Sequence, residues 1–148
     1  MEEVISRLEN QLKRAEAFLA TASPEKLEYK PSEHKWSGKE ILGHLVDSGV
    51  NNLQRFTEIQ YPNNGIYRVR GYDQDELVKA NNYQDARVEE ILGLWMAVNT
   101  RILSIMKQQT GHMLSRKVIF ENGEQADLRF LMKDYADHTE HHLKQIMR

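Results

Sequence analysis

Apolar residues at Val4, Ile5, Leu8, Leu12, Ala15, Phe18 and Leu19 recur at steps of three and four, the spacing that lines one face of an α-helix. This predicts a first helix from Glu2 to about Thr21. The pattern breaks in TASPEKLEYKPSEHKW, where prolines, serines and charges make a connector. Ser37 followed three residues later by Glu40 is a capping-box signature, and Ile41, Leu45, Leu53, Phe56 and Ile59 behind it predict a second helix to about Gln60. The segment YPNNGIYRVRGYDQDEL reads as a loop with a turn at Asn63-Asn64-Gly65, at most a brief extended piece, and a short helical turn from Asp75 to Lys79. Val88, Ile91, Leu92, Trp95, Val98, Ile102, Ile105 and Met106 predict a third long helix from Asp85, as its N-cap, to about Gln108, closed by Gly111. KVIFENGEQ has the character of a hairpin turning at Asn122-Gly123. A fourth helix runs from about Asp127 to the end, with Leu128, Leu131, Tyr135, His138, His142 and Ile146 on one stripe.

Four long helices without a strong strand series predict an all-α fold, a four-helix bundle. The connector before Ser37 and the loop after the second helix are long for an up-and-down bundle, which favours crossover connections. The chain of 148 residues is 40% hydrophobic, enough for one core, so residues 1–148 are expected to be a single domain.

Charge narrows the function classes. Charged residues make up 28% of the chain with a net charge of −2, interleaved with apolar positions, which argues against a nucleic-acid surface. The start, MEEVISRLEN, has neither the basic nor the apolar region of a secretory signal and reads as mature protein. The uncharged stretch ILGLWMAVNT is about half of the ~20 apolar residues a spanning helix needs, so no membrane segment is expected. The chain contains no cysteine; it forms no disulfide and supplies no thiolate of its own, and a cytoplasmic setting is expected.

Three of the six histidines fall within DHTEHHLKQIMR at the end of the chain. His138 and His142 stand four apart on the inward stripe, where side-chain origins lie about 5 to 6 Å apart and two imidazoles can meet one ion at roughly 2.0 to 2.1 Å each. His141 turns about 100° away from His142 and is expected at the rim. A third ligand is wanted, and His44, at the edge of the second helix's buried face, can reach the bundle interior. Three neutral imidazoles leave a coordination position open, as in catalytic sites. Asp47 and Asp134, each about one turn from a histidine, are candidate acceptors to orient a ring, and with Glu140 they are the carboxylates available as a general base. The alternative is structural: core histidines bonded to carboxylates, or solvated cations complementing a helix C-terminus, leave the same HxxxH spacing.

His34, in the connector, and His112, after Gly111, are expected to be exposed. Ser48 has no GxSxG elbow around it, which counts against a serine nucleophile. Trp36 and Trp95 are read as core anchors before pocket walls. Arg55, Arg68 and Arg70 are candidates for binding an anion, with a solvated role the commoner fate of such residues.

WSGKEILGHLVDS, NNLQRF, YDQDEL before a helix containing Trp95, and the closing DYADHTEHHLKQI together resemble the DinB-like superfamily in order and spacing, over nearly the whole chain. The resemblance implies a four-helix bundle in which His44, His138 and His142 bind a divalent metal, usually zinc or nickel, and in which homodimers are frequent. The family holds S-transferases and isomerases that use bacillithiol, mycothiol or glutathione, metal-dependent hydrolases, and members without known activity. The expectation is therefore a metal-dependent enzyme that transfers a low-molecular-weight thiol to a small electrophilic substrate. A metal-dependent hydrolase and a non-catalytic, stress-associated metal-binding protein are the alternatives.

Overall fold

The computed structural model of the protein describes residues 1–62 and 65–148. Four long helices dominate it: α1 (Glu2–Leu19), α3 (Gly38–Glu58), α5 (Val88–Lys107) and α7 (Leu128–Ile146), with the short helices α2 (Pro24–Glu28), α4 (Gln74–Asn81) and α6 (Gly111–Leu114) between them. α3 packs on α5 and α7, and α1 packs on the same two. The helices α1 and α3 therefore face each other across the bundle, as do α5 and α7. The connection from α1 to α3 is a crossover, as its long connector predicts. The loop after α3 instead joins the neighbours α3 and α5, and the second crossover is the connection from α5 to α7. The fold is the expected all-α four-helix bundle.

The capping box forms as its sequence predicts: Ser37 Oγ accepts from the Glu40 backbone N–H at 3.2 Å and Glu40 Oε2 accepts from the Ser37 N–H at 2.9 Å. Asp127 caps α7, accepting from the Phe130 N–H at 2.8 Å. One core runs through the bundle, from Leu8 and Leu12 of α1 through Leu42, Leu45 and Phe56 to Trp95, Ile102 and Leu143. Among these apolar side chains, buried Gln11 of α1 donates to the Ala136 carbonyl at 3.0 Å, tying α1 to α7.

Several boundaries differ from expectation. Asp85 is not the cap of the third long helix. It closes a 3-10 turn, Tyr83–Asp85, where its carboxylate accepts from the Asn82 amide at 3.0 Å, and α5 begins after Arg87 with no side-chain cap. Gly111 does not close that helix either. α5 ends at Lys107, and Gly111 opens α6, which Thr110 caps by accepting from the Met113 N–H. The connector after α1 contains α2, started by Ser23 as cap and Pro24 at the first helical position, the place where proline's missing N–H costs nothing. The expected turn around Asp75 is the two-turn helix α4, capped by Asp73 and ended by Asn82 at φ 50°.

A small sheet covers one end. β2 (Lys117–Ile119) and β3 (Gln125–Asp127) form the predicted hairpin, with Gly123 at φ 86° in its turn, and β1 (Tyr67–Arg68) joins β2 in parallel, Tyr67 opposite Val118. β1 is the brief extended piece expected in the loop after α3. Residues 63 and 64 of the Asn-Asn-Gly turn expected there lie outside the described residues. No described helix is long and apolar enough to cross a membrane.

Candidate metal centre

The α3/α7 interface places His44 opposite the pair on α7. The ring centroids of His44, His138 and His142 lie 4.5 to 5.0 Å apart, and one ring nitrogen from each falls within 4.8 Å of the other two. His44 Nε2 and His138 Nε2 are 3.0 Å apart. Two nitrogens held by one ion at roughly 2.0 to 2.1 Å, at angles between 90° and tetrahedral, stand about 2.9 to 3.4 Å from each other, so this pair already has the separation that a shared ion requires.

The outer nitrogens show how the rings are aimed. His138 Nδ1 faces Ser48 Oγ at 3.4 Å, and His142 Nδ1 faces Gln145 Oε1 at 2.8 Å. The Gln145 oxygen, an acceptor, keeps the proton on His142 Nδ1 and leaves its Nε2 with a free lone pair, the usual arrangement around a ligating histidine. The Ser48 hydroxyl accepts from His138 Nδ1 in the tautomer that frees His138 Nε2 in the same way. Gln145 is itself oriented, since its amide nitrogen lies 3.2 Å from His141 Nε2. Ser48 is anchored by Asn52, whose amide donates to the Ser48 carbonyl at 2.9 Å and to Ser48 Oγ at 3.4 Å. His44 Nδ1 is buried without a hydrogen-bond partner among the described residues.

The three rings are held as neutral bases. Burial, with the neighbouring imidazoles adding to it, lowers the pKa of His44 to about 3 and that of His138 to about 4, and burial lowers that of His142 as well. A buried cation beside two other basic rings is doubly disfavoured. Each ring is therefore unprotonated at neutral pH, the form that ligates metal. The donor set and its convergence fit a divalent ion.

The other candidates separate clearly. His141 is exposed at the rim, and His34 and His112 are exposed elsewhere, all as expected. Asp47 and Asp134 do not orient a histidine. Asp47 is buried, but its Oδ1 accepts from Tyr83 Oη at 2.6 Å and from the Asn81 amide at 2.9 Å. One Asp47 oxygen is left without a partner, and burial raises its pKa. Gly43 permits this arrangement, because a Cβ there would overlap the Tyr83 ring. Asp134 is exposed on the α7 face toward Arg55, and Glu140 pairs with Arg14 of α1 at 3.1 Å. Trp95 is fully buried, as a core anchor should be, whereas half-buried Trp36 lays its ring 4.9 Å from that of His44. From Trp36 a groove of about 590 Å3 runs along Tyr29, Pro31 and Ile41 to Gln145.

Sequence reasoning found the three histidines and missed Ser48 and Gln145 as the groups that orient them. Gln145 was within reach of the same periodicity, three residues after His142.

A bundle of four helices with three convergent neutral histidines between its second and fourth long helices defines the class of molecule. Residues 7–146 match the family model of the DinB superfamily, and the chain belongs to that family. No curated protein sequence matches it. Among solved structures it is similar to YfiT from Bacillus subtilis, a probable metal-dependent hydrolase with an unusual four-helix bundle topology, at a TM-score of 0.87 and 19% identity, covering 98% of this chain and 82% of YfiT. It is also similar to a mycothiol-dependent maleylpyruvate isomerase (TM-score 0.76, 10% identity), covering 98% of this chain and 60% of the isomerase. A DinB-like protein, YjoA, from Bacillus subtilis matches at TM-score 0.66 and 17% identity over 97% of this chain and 86% of its own. At these identities the likeness is one of fold.

Proposed function

We propose that the protein is a metal-dependent enzyme in which His44, His138 and His142 hold a divalent ion, zinc or nickel, and in which a low-molecular-weight thiol such as bacillithiol is transferred to an electrophilic substrate. The observation that carries this reading is the convergence of three neutral imidazoles, with one nitrogen of each within 4.8 Å of the others and two of the rings held through Nδ1 by Ser48 and Gln145. When bound, such an ion would hold a thiol as its thiolate, or bring water toward a neutral pKa. The chain's own part is to present the nitrogens, fix the tautomers and shield one side of the site with Trp36. Having no cysteine, it must take any sulfur nucleophile from outside.

Hydrolysis is the second reading, supported by the description of YfiT. A hydrolase gains from a carboxylate placed as general base. Among the described residues no carboxylate is hydrogen-bonded to the three rings: Asp47 turns to Tyr83, Glu140 to Arg14, and Asp134 stands exposed. That distribution favours thiol transfer.

The test is elemental analysis of protein purified without a histidine tag or chelator, alongside His44→Ala. We expect close to one zinc or nickel per chain, lost in the variant. A wild-type protein that takes up neither metal when supplied would sink the proposal and favour a binding role for the bundle.

A further inference from the structure

Along α3, His44, Ser48, Asn51 and Arg55 follow one another at steps of four, three and four, which places them on one stripe of the helix. The facing stripe of α7 runs the other way, through Gln145, His142, His138 and Asp134. His44 meets both histidines, Ser48 meets His138, and the charge of Arg55 acts on Asp134. The histidine cluster is thus one end of a polar seam, and Arg55 lies about 10 Å along the helix axis beyond Ser48, seven residues at ~1.5 Å each.

Arg55 is held as though for a ligand. One of its terminal nitrogens donates to the Arg70 carbonyl at 2.6 Å and the other to Asn52 Oδ1 at 3.4 Å. Its guanidinium carbon lies 5.5 Å from the centre of the Tyr72 ring. Asn52 is the same residue that anchors Ser48, so one buried amide fixes both ends of the seam. A guanidinium carries five N–H donors, and these bonds use two. Nε makes neither of these bonds and is not buried without a partner, so it opens to solvent. Among the described residues no carboxylate lies within ion-pair distance of Arg55, although eight ion pairs occur elsewhere.

Arg55 lines a hollow of about 220 Å3 together with Arg70, Asn51 and Tyr67. Such a space is smaller than the ~300 to 1,000 Å3 of sites that enclose a whole ligand, and suits the terminal group of one. Glu58 stands at its far wall, with one carboxylate oxygen bonded to Tyr67 Oη at 2.7 Å and the other to the Gln54 amide at 2.7 Å. The charge of Arg70 acts on Glu58 as well. Asp134 remains as the opposing charge on the other helix.

We infer that Arg55, backed by Arg70 and Tyr72, is a carboxylate-binding subsite, and that the ligand of the histidine centre lies along the seam with a donor atom at the histidines and a carboxylate at Arg55. This rests on the metal-centre reading above and adds to it the charge and length of the ligand. Guanidinium is suited to that role because it meets a carboxylate with two parallel N–H bonds.

The experiment titrates nickel-loaded wild type, Arg55→Gln and Arg55→Lys with glutathione and with its diethyl ester, in which both carboxylates are masked. The readouts are the nickel–thiolate charge-transfer absorbance and the nickel content of each protein. In the wild type, glutathione should bind at least about tenfold tighter than the ester, a difference in line with hydrogen bonds to charged groups. Arg55→Gln should remove that preference while ester affinity and nickel content stay unchanged, and Arg55→Lys should keep part of it. No preference in the wild type, or a preference that survives Arg55→Gln, overturns the subsite. If nickel is bound and neither thiol gives a band, the thiol reading fails by itself. The subsite is then decided by calorimetry with citrate, which ligates nickel without sulfur: equal affinity in wild type and Arg55→Gln overturns it, and weaker binding to the variant supports it.

Discussion

The interface of α3 and α7 carries two polar clusters only a few turns apart, and they are built on opposite terms. Around Tyr135 every polar group named is matched: its hydroxyl donates to Asn99 Oδ1 at 2.8 Å, the Asn99 amide donates to the Trp95 carbonyl at 2.8 Å, and Thr139 donates to the Tyr135 carbonyl at 2.9 Å. Phe56 closes the cluster edge-on, and Gly49 lets the phenol approach the α3 backbone, since a Cβ there would lie 3.2 Å from its oxygen. Around His44 the matching is left incomplete. Three basic rings are pressed together, His44 Nδ1 has no partner, and two Nε2 atoms that both carry lone pairs once their outer nitrogens are protonated stand 3.0 Å apart. A fully matched buried network specifies packing; an unmatched one made of convergent ligand atoms lacks the partner that would complete it. Convergence is the deciding feature, because the indole nitrogen of Trp95 is also unmatched and nothing gathers around it.

The largest effect expected from breaking this contrast is on metal affinity. Altering the partners that orient a ligand costs about 10- to 100-fold in affinity, so His142→Ala, which removes one of the three proposed ligands outright, should weaken nickel or zinc binding by more than ~100-fold. His141→Ala, at the exposed rim, should leave one metal per chain. Competition with a chromogenic chelator measures both. If His141→Ala is the damaging change, the assignment of the helical face is wrong.

The matched cluster should answer to stability instead. Tyr135→Phe keeps the ring and strands Asn99 Oδ1 in the core, and an unsatisfied buried acceptor costs about 1 to 3 kcal/mol. Urea denaturation should show a lower midpoint at unchanged slope, while metal content stays at the wild-type value. A neutral Tyr135→Phe, or one that sheds metal, would erase the distinction between the two clusters.

How far each cluster can be read from sequence follows the same line. His138 and His142 on the stripe of Leu131, Tyr135 and Ile146 are visible because one helix carries them all, and His44 follows from the edge of a second periodic face. The capping box at Ser37 and the cap at Asp127 are equally local. What sequence periodicity misses depends on how helices are set against each other. Ser48 faces His138 only because of the register of α3 on α7. Asp47 is three residues from His44, only about 60° around an ideal helix, and it is the packing of Tyr83 and Asn81 against α3 that takes it away from the histidines. α2 was hidden by its five residues, too short for periodicity, though Ser23-Pro24 is a local start signal.

The smallest of these effects separates the clusters by pH. In the unfolded chain histidine titrates near 6.5, whereas burial holds His44 at about 3 and His138 at about 4 in the metal-free fold. Between these values the unfolded state binds protons that the native rings refuse, so stability falls as pH falls below 6.5. Asp47 works in the opposite sense, because its raised pKa lets the native state take up a proton before the unfolded one does. The wild-type curve alone therefore mixes contributions, and the useful quantity is a difference. Metal-free His44→Leu has one fewer refused proton and no stranded Nδ1, so it should be more stable than metal-free wild type at pH 5 by a wider margin than at pH 7.5. Paired urea titrations at the two pH values read this directly. A margin that does not change with pH would mean that His44 takes up its proton in the fold as readily as in the unfolded chain, which would remove the basis for regarding it as a ring held neutral by burial.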